Sequence, residues 1–183
     1  MQVTNYPETR IFELRFVVYN KNVDMAKLFE FDILNMLFAA NNVNIIEQFH
    51  STANESSEKA GETGSTNIQM LFYHLFKDCG IPRYYLNMDL NIEITDNVIE
   101  YYSTIRSDFP DHLPASSSMM RPPKPIPISK MNIRVEIPTP SSGGVMVSLT
   151  FNNEQPSPLH REKMVSMVFK KMFSRLKEFI ENM

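Results

Sequence analysis

Between residues 86 and 94 apolar and polar side chains change places at every step, with Leu86, Met88, Leu90, Ile92 and Ile94 set against Asn87, Asp89, Asn91 and Glu93. Successive side chains of a strand point to opposite faces, so this segment reads as a strand with one face in a core and the other in water. The same alternation returns from Ile11 to Tyr19, where Phe12, Leu14, Phe16 and Val18 share one side. It returns again from Met131 to Ile137 and from Val145 to Phe151. Pro138 to Gly144 joins the last two as a hairpin, and Gly143 and Gly144 are read there as turn glycines that take positive φ.

Three segments carry the other period. Met25 to Ala40 follows an N-cap at Asn22 or Asp24 and is apolar around most of its circumference, the pattern of a centrally buried helix. After a cap at Ser65 or Thr66, the apolar residues Ile68, Leu71, Phe72, Leu75, Phe76 and Cys79 fall at helical spacing, and Gly80 and Pro82 close the segment. Ser157 and Pro158 open a third helix to the C-terminus, with Met164, Val165, Val168, Met172, Phe173, Leu176, Phe179 and Ile180 inward. Residues 43–49 suit a short strand and 98–105 form a short segment of undefined type. Strands beside helices make the fold class α+β. Two stretches have too little apolar surface to order themselves: Ser51 to Ser65, and Ser107 to Ser129 with its six prolines. Both are expected to be mobile loops.

With 183 residues, 43% hydrophobic and 21% charged, the chain suits one domain with a real core. A net charge of −3 offers no general attraction to phosphate backbones, so nucleic acid is not an expected partner. One cysteine, Cys79, excludes an internal disulfide and suits a reducing compartment, cytoplasmic or nuclear. No apolar run reaches the roughly 20 residues of a membrane span, and Met1 to Arg10 lacks the apolar centre of a signal peptide.

The chain offers little for chemistry. His50, His74, His112 and His160 are scattered without paired spacing, so no metal site is expected. Five glycines provide neither a phosphate-binding loop nor a dinucleotide fingerprint, and no cofactor is expected. Cys79 lies at a helix end, away from the dipole that activates thiols, and reads as core. Glu93 and Asp96 read as solvated surface. Of thirteen methionines and thirteen phenylalanines most fall on periodic faces and read as packing. Met119 and Met120 are left over in a loop, as candidates for partner contact. Phe109, Pro110 and Leu113 lie among prolines and acids, which suits an exposed recognition hook or, equally, an apolar tuck of the loop onto the body.

The Ile11-Phe12-Glu13-Leu14 strand followed by Asn22-Val23-Asp24-Met25-Ala26, the run from Ile126-Pro127 into Asn132-Ile133-Arg134-Val135-Glu136, and His160-Arg161-Glu162-Lys163 at the last helix resemble the HORMA family. The likeness is to the small HORMA subunit of the autophagy-initiating kinase complex. It implies an antiparallel sheet with three main helices on one face, and a non-enzymatic adaptor that pairs with the HORMA domain of autophagy-related protein 13. It also implies recruitment of later factors at autophagosome formation sites through a Trp/Phe finger loop. The chain has no tryptophan, so only Phe109, in Asp108-Phe109-Pro110, carries over. The sequence stops at Met183 without the C-terminal belt usual in HORMA domains, which leaves a sheet edge for a partner or a second copy to cover. Two other readings stand beside this one: a HORMA-like adaptor capturing a peptide by strand addition, and a small α+β enzyme with a site drawn from His74, Glu93 and His160.

Overall fold

The computed structural model describes residues 1–6, 8–31, 33–53, 65–75, 77–95, 97–111, 113, 122–137, 144–153 and 159–183. In chain order these form β1 (Gln2–Tyr6), β2 (Ile11–Tyr19), α1 (Met25–Phe31), α2 (Ile33–Asn41), β3 (Ile46–Ala53), β4 (Ser65–Phe72), a 3-10 turn (Lys77–Cys79), β5 (Tyr84–Thr95), β6 (Val98–Arg106), β7 (Lys124–Pro125), β8 (Ile128–Glu136), β9 (Gly144–Asn153) and α3 (Leu159–Glu181). The fold is α+β. All nine strands belong to one sheet, in the order β1-β2-β9-β8-β6-β5-β4-β3, antiparallel throughout except for β7, which runs parallel to β5 off the main path.

Strand parity decides which side is core. Phe12, Leu14, Phe16 and Val18 of β2 stand in register with Phe151, Leu149, Val147 and Val145 of β9, and all eight are buried. The helix α3 covers this inner face: Phe169 packs on Phe151 with ring centres 4.8 Å apart, and Phe173 meets Phe16 at 6.2 Å. Each such ring withdrawn from water stabilises the fold by about 1.5–3 kcal/mol. The first helix starts where its cap allows, the Asp24 carbonyl accepting from the Leu28 N–H at 3.0 Å and the Asp24 carboxylate from the Lys27 N–H at 3.4 Å. The apolar run after it is two helices rather than one. Met25, Phe29, Ile33, Met36 and Leu37 are buried, while Asn35 and Ala39 face solvent.

Several segments differ from their sequence reading. The expected helix over 65–79 is a strand, β4, followed by a loop and the 3-10 turn. Ile68, Met70 and Phe72 point into the core, and Leu71 on the opposite face is buried as well, against Tyr85, Leu113 and Phe109. A strand covered on both faces presents a nearly continuous apolar run, which cannot be told from a buried helix by spacing alone. The undefined segment at 98–105 is the long strand β6. β1 has no apolar signature because its residues are nearly all exposed; it exists through its ladder to β2. Gly144 is not a turn residue with positive φ but the first residue of β9, where an added Cβ would lie 3.0 Å from Cγ1 of Val17. The expected hairpin turn, most of the Ser51 to Ser65 loop and the start of the last helix at Ser157 and Pro158 lie outside the described residues. The Ser107 to Ser129 loop is ordered where it is described: Phe109 and Leu113 lie against the sheet, β7 pairs with β5, and Ile126 and Ile128 are in the core.

Candidate functional site

Helix α3 lies over the inner face, and near its first turns an apolar groove opens. Met164, Val165 and Val168 form one wall; Phe72 at the end of β4, then Tyr73, Leu75, Ile81, Pro82, Tyr84 and Ile126 form the other. The second wall is held by main-chain and side-chain hydrogen bonds. Tyr73 donates its N–H to the Ile45 carbonyl at 3.0 Å and Ile126 donates to Tyr85 at 2.9 Å. Nε2 of His74 lies 2.7 Å from the Ile81 carbonyl oxygen, and Nε of Arg83 donates to the Phe72 carbonyl at 2.8 Å. The Arg83 guanidinium is buried and forms an ion pair with Glu47. Gly80 takes the left-handed conformation, φ 68°, that lets the loop turn back.

The groove encloses about 20 Å³, room for about one water molecule. Behind it the space between α3 and the sheet is filled by Phe151, Phe169 and Phe173, all fully buried. The attachment of α3 is uneven along its length. Asn41 Nδ2 donates to the Met172 carbonyl at 3.1 Å, Asn20 Nδ2 to the Ile180 carbonyl at 2.7 Å, and the Tyr19 N–H to Oε1 of Glu181 at 3.2 Å. All three lie in the C-terminal half of the helix, while the groove borders the N-terminal half.

The residues singled out in the sequence lie elsewhere. Phe109, Pro110 and Leu113 are on the outer face of the sheet, the side opposite α3. The Phe109 ring meets Tyr85 edge-on, 5.2 Å between centres at 77°, and Pro110 and Leu113 are buried. The Tyr85 hydroxyl donates to the Ser107 carbonyl. Nδ2 of Asn87 donates to Oδ2 of Asp108 at 3.3 Å. Burial pushes the Tyr85 phenol above its ordinary value, and the Asp108 carboxylate adds to the shift. Within the chain, Phe109 and Leu113 pack onto Tyr85 and Leu71 of the sheet. Met119 and Met120 lie outside the described residues. His74 and Glu93 stand beyond opposite ends of β4, His74 past Phe72 and Glu93 past the Ser65–Asn91 pair. No group of three or more metal-ligating side chains occurs among the described residues, and no helix among them is long and apolar enough to cross a membrane.

The groove residues on α3 were legible as inward positions of a helix. Their opposite wall was not, because it comes from a segment read as a helix end and from a loop.

No family model matches the sequence, and no curated protein matches it. Solved structures do match in fold. Human STARD10 is 7% identical, with 97% of this chain and 67% of that chain covered and a TM-score of 0.62. The lipid transfer and protein localization domain of human StarD13 (DLC2) is 8% identical over 94% of this chain and 78% of that one, with a TM-score of 0.58. The protein Ms6760 from Mycobacterium smegmatis is 10% identical over 100% and 94%, with a TM-score of 0.50. These likenesses overturn the HORMA reading and, with it, the likeness to autophagy-related protein 101 and the adaptor role in autophagy. Its motifs are features of any one-sided strand and any capped helix: Ile11 to Leu14 and Asn132 to Glu136 alternate, and Asp24 caps. The chain has the START/Bet v1 fold, a large antiparallel sheet with a long C-terminal helix against one face.

Proposed function

We propose that the chain binds an apolar ligand between the N-terminal half of α3 and the sheet, and that it carries out no chemistry on that ligand. The groove carries the reading: its walls are Phe72, Leu75, Ile81, Ile126, Met164 and Val168, with Tyr73 and Tyr84 beside them. Ligand sites of this kind are mostly apolar with a few placed polar groups. The StarD13 domain, described as a lipid transfer domain, supports the same class of ligand.

Size decides how such a ligand gets in. A lipid-sized or drug-sized molecule needs about 300–1,000 Å³, and the groove encloses about 20 Å³. Binding therefore requires the N-terminal half of α3 to lift while its C-terminal half stays tethered through Asn41, Asn20 and Glu181. Opening the first half exposes Val165 and Phe169, and a ligand's acyl or ring carbons replace the contacts that are lost.

The test is native mass spectrometry of the protein after incubation with phosphatidylcholine vesicles and removal of the vesicles. A one-to-one adduct of protein and lipid is expected, with hydrogen exchange in residues 159–169 altered by binding. Protein that emerges without lipid, and that also leaves the fluorescence of an apolar naphthalene sulfonate probe unchanged, overturns the reading.

A further inference from the structure

The sheet has two edges, β1 and β3, and they differ in how they meet solvent. β3 is blunted: its ladder to β4 shifts register between Ile46 and Gln48, Glu47 places a charge on it that pairs with Arg83, and Phe49 is stacked under Phe38 of α2 at 5.3 Å. Bulges, inward charges and covering elements are the devices by which sheets avoid pairing with other chains. Among the described residues β1 has none of them. Its residues Gln2, Val3, Thr4, Asn5 and Tyr6 carry no charge, and its register with β2 is unbroken from Gln2–Arg15 to Tyr6–Ile11. Val3 is 40% exposed and Tyr6 46%. Among the described residues the outer row of its backbone N–H and C=O groups faces no strand.

We infer that this edge is the contact surface for a second copy of the chain, the two β1 strands pairing antiparallel across a two-fold axis at Thr4. That register uses the whole strand: each Gln2 stands opposite the other copy's Tyr6, each Val3 opposite the other's Asn5, and Thr4 opposite Thr4. Backbone donors and acceptors alternate along the edge, so an antiparallel strand is complementary to itself. No like charges meet in it, and the nearest charges behind it, Glu13 and Arg15, neutralise one another at 2.6 Å. Self-pairing of one patch closes at two copies, whereas β1 added to β3 would propagate into a filament. The blunted β3 edge blocks that route. Five paired residues bury little surface, so the dimer is weak and forms with rising concentration.

The test is light scattering of the full chain behind size exclusion over a concentration series, with Thr4→Lys and Thr4→Glu as variants and circular dichroism as the check on folding. The wild type is expected to shift from monomer to dimer with concentration, each variant to stay monomeric, and an equimolar mixture of the two variants to recover the dimer, since a Lys then faces a Glu. Hydrogen exchange on the wild type needs no variant: alternate amides of β1 gain protection with concentration while those of β3 do not. A wild type that stays monomeric at its solubility limit, a dimer untouched by both substitutions, or dimerisation without added protection in β1 overturns the inference.

Discussion

The carboxamide of Asn41, fully buried at the end of α2, donates to two main-chain carbonyls on different helices, that of Leu37 at 2.8 Å and that of Met172 at 3.1 Å. The second bond is a tether between α2 and α3. Replacing Asn41 by Ala removes both side-chain bonds, at a cost of about 1–3 kcal/mol. Chemical denaturation reads the loss. Native-state hydrogen exchange places it: amides of 170–181 are expected to lose more protection than those of the sheet.

Phe169 fills the space that a ligand would occupy, against Phe151 and away from solvent. Phe169→Ala is expected to lower stability by about 3–5 kcal/mol through the cavity it leaves, and to raise the affinity for an apolar probe because less of the helix must move. Thermal unfolding with and without the probe separates the two effects. A variant that is destabilised but binds no better places the ligand elsewhere.

On the rim of the groove, Val168 is only half-buried. Val168→Asp therefore costs at most about 1–2 kcal/mol, while a carboxylate in the path of an acyl chain has to be desolvated when the ligand enters. Lipid recovery in native mass spectrometry is expected to fall at least tenfold with the circular dichroism spectrum unchanged.

On the outer face, Glu100 of β6 stands opposite Glu93 of β5, a like-charge pair that costs stability. The Tyr102 hydroxyl donates to Glu100, and Arg134 pairs with the same carboxylate while also reaching Glu136 at 2.9 Å. The Tyr102 bond, and then Arg134, hold Glu100 below the ordinary carboxylate range. The folded protein thus binds this proton less readily than the unfolded chain, so the contribution is complete at neutral pH and disappears as pH falls through the folded value. In Tyr102→Phe the Glu100 midpoint, followed by carboxyl NMR, is expected to rise. The stability difference from wild type is expected to vanish at the acid end.

Phe109 shields Tyr85, whose phenol is raised chiefly by burial. Phe109→Ala is expected to cost about 2 kcal/mol and to bring the Tyr85 midpoint down towards that of an exposed tyrosine. Ultraviolet titration against the Tyr85→Phe background identifies the group.

How much of this was legible in the sequence follows from how each segment is buried. β2, β8 and β9 have one dry face and a more exposed one, and their alternation places them within a few residues; β5 alternates as well, but Tyr85 and Asn87 on its outer face are buried beneath the segment that carries Asp108 and Phe109 rather than in water. β4 is dry on both faces at Leu71 and Phe72, so its spacing imitates a helix. β6 carries Ser103 on its inner face, where the hydroxyl donates to the Met131 carbonyl at 2.5 Å and accepts from the Met131 N–H at 3.0 Å. A polar residue satisfied by a neighbouring strand breaks the pattern that sequence reading relies on. The groove was half legible: helical spacing marks Met164 and Val168 as inward, but the residues that face them, Phe72, Tyr73, Leu75, Ile81, Pro82, Tyr84 and Ile126, come from strand ends and loops that carry no period of their own.

The pairing of β2 with β9 has a consequence for how the chain comes together. Phe12 finds its partner in Phe151, so the pair that closes the sheet joins segments near opposite ends of the chain, whereas β3 to β6 pair with sequence neighbours. Chains dominated by such non-local pairing fold in about milliseconds to seconds. On the ribosome, Phe12, Leu14 and Phe16 are synthesised long before β9 exists to cover them. That interval, rather than the finished fold, is when this protein is most exposed to aggregation and most dependent on chaperones.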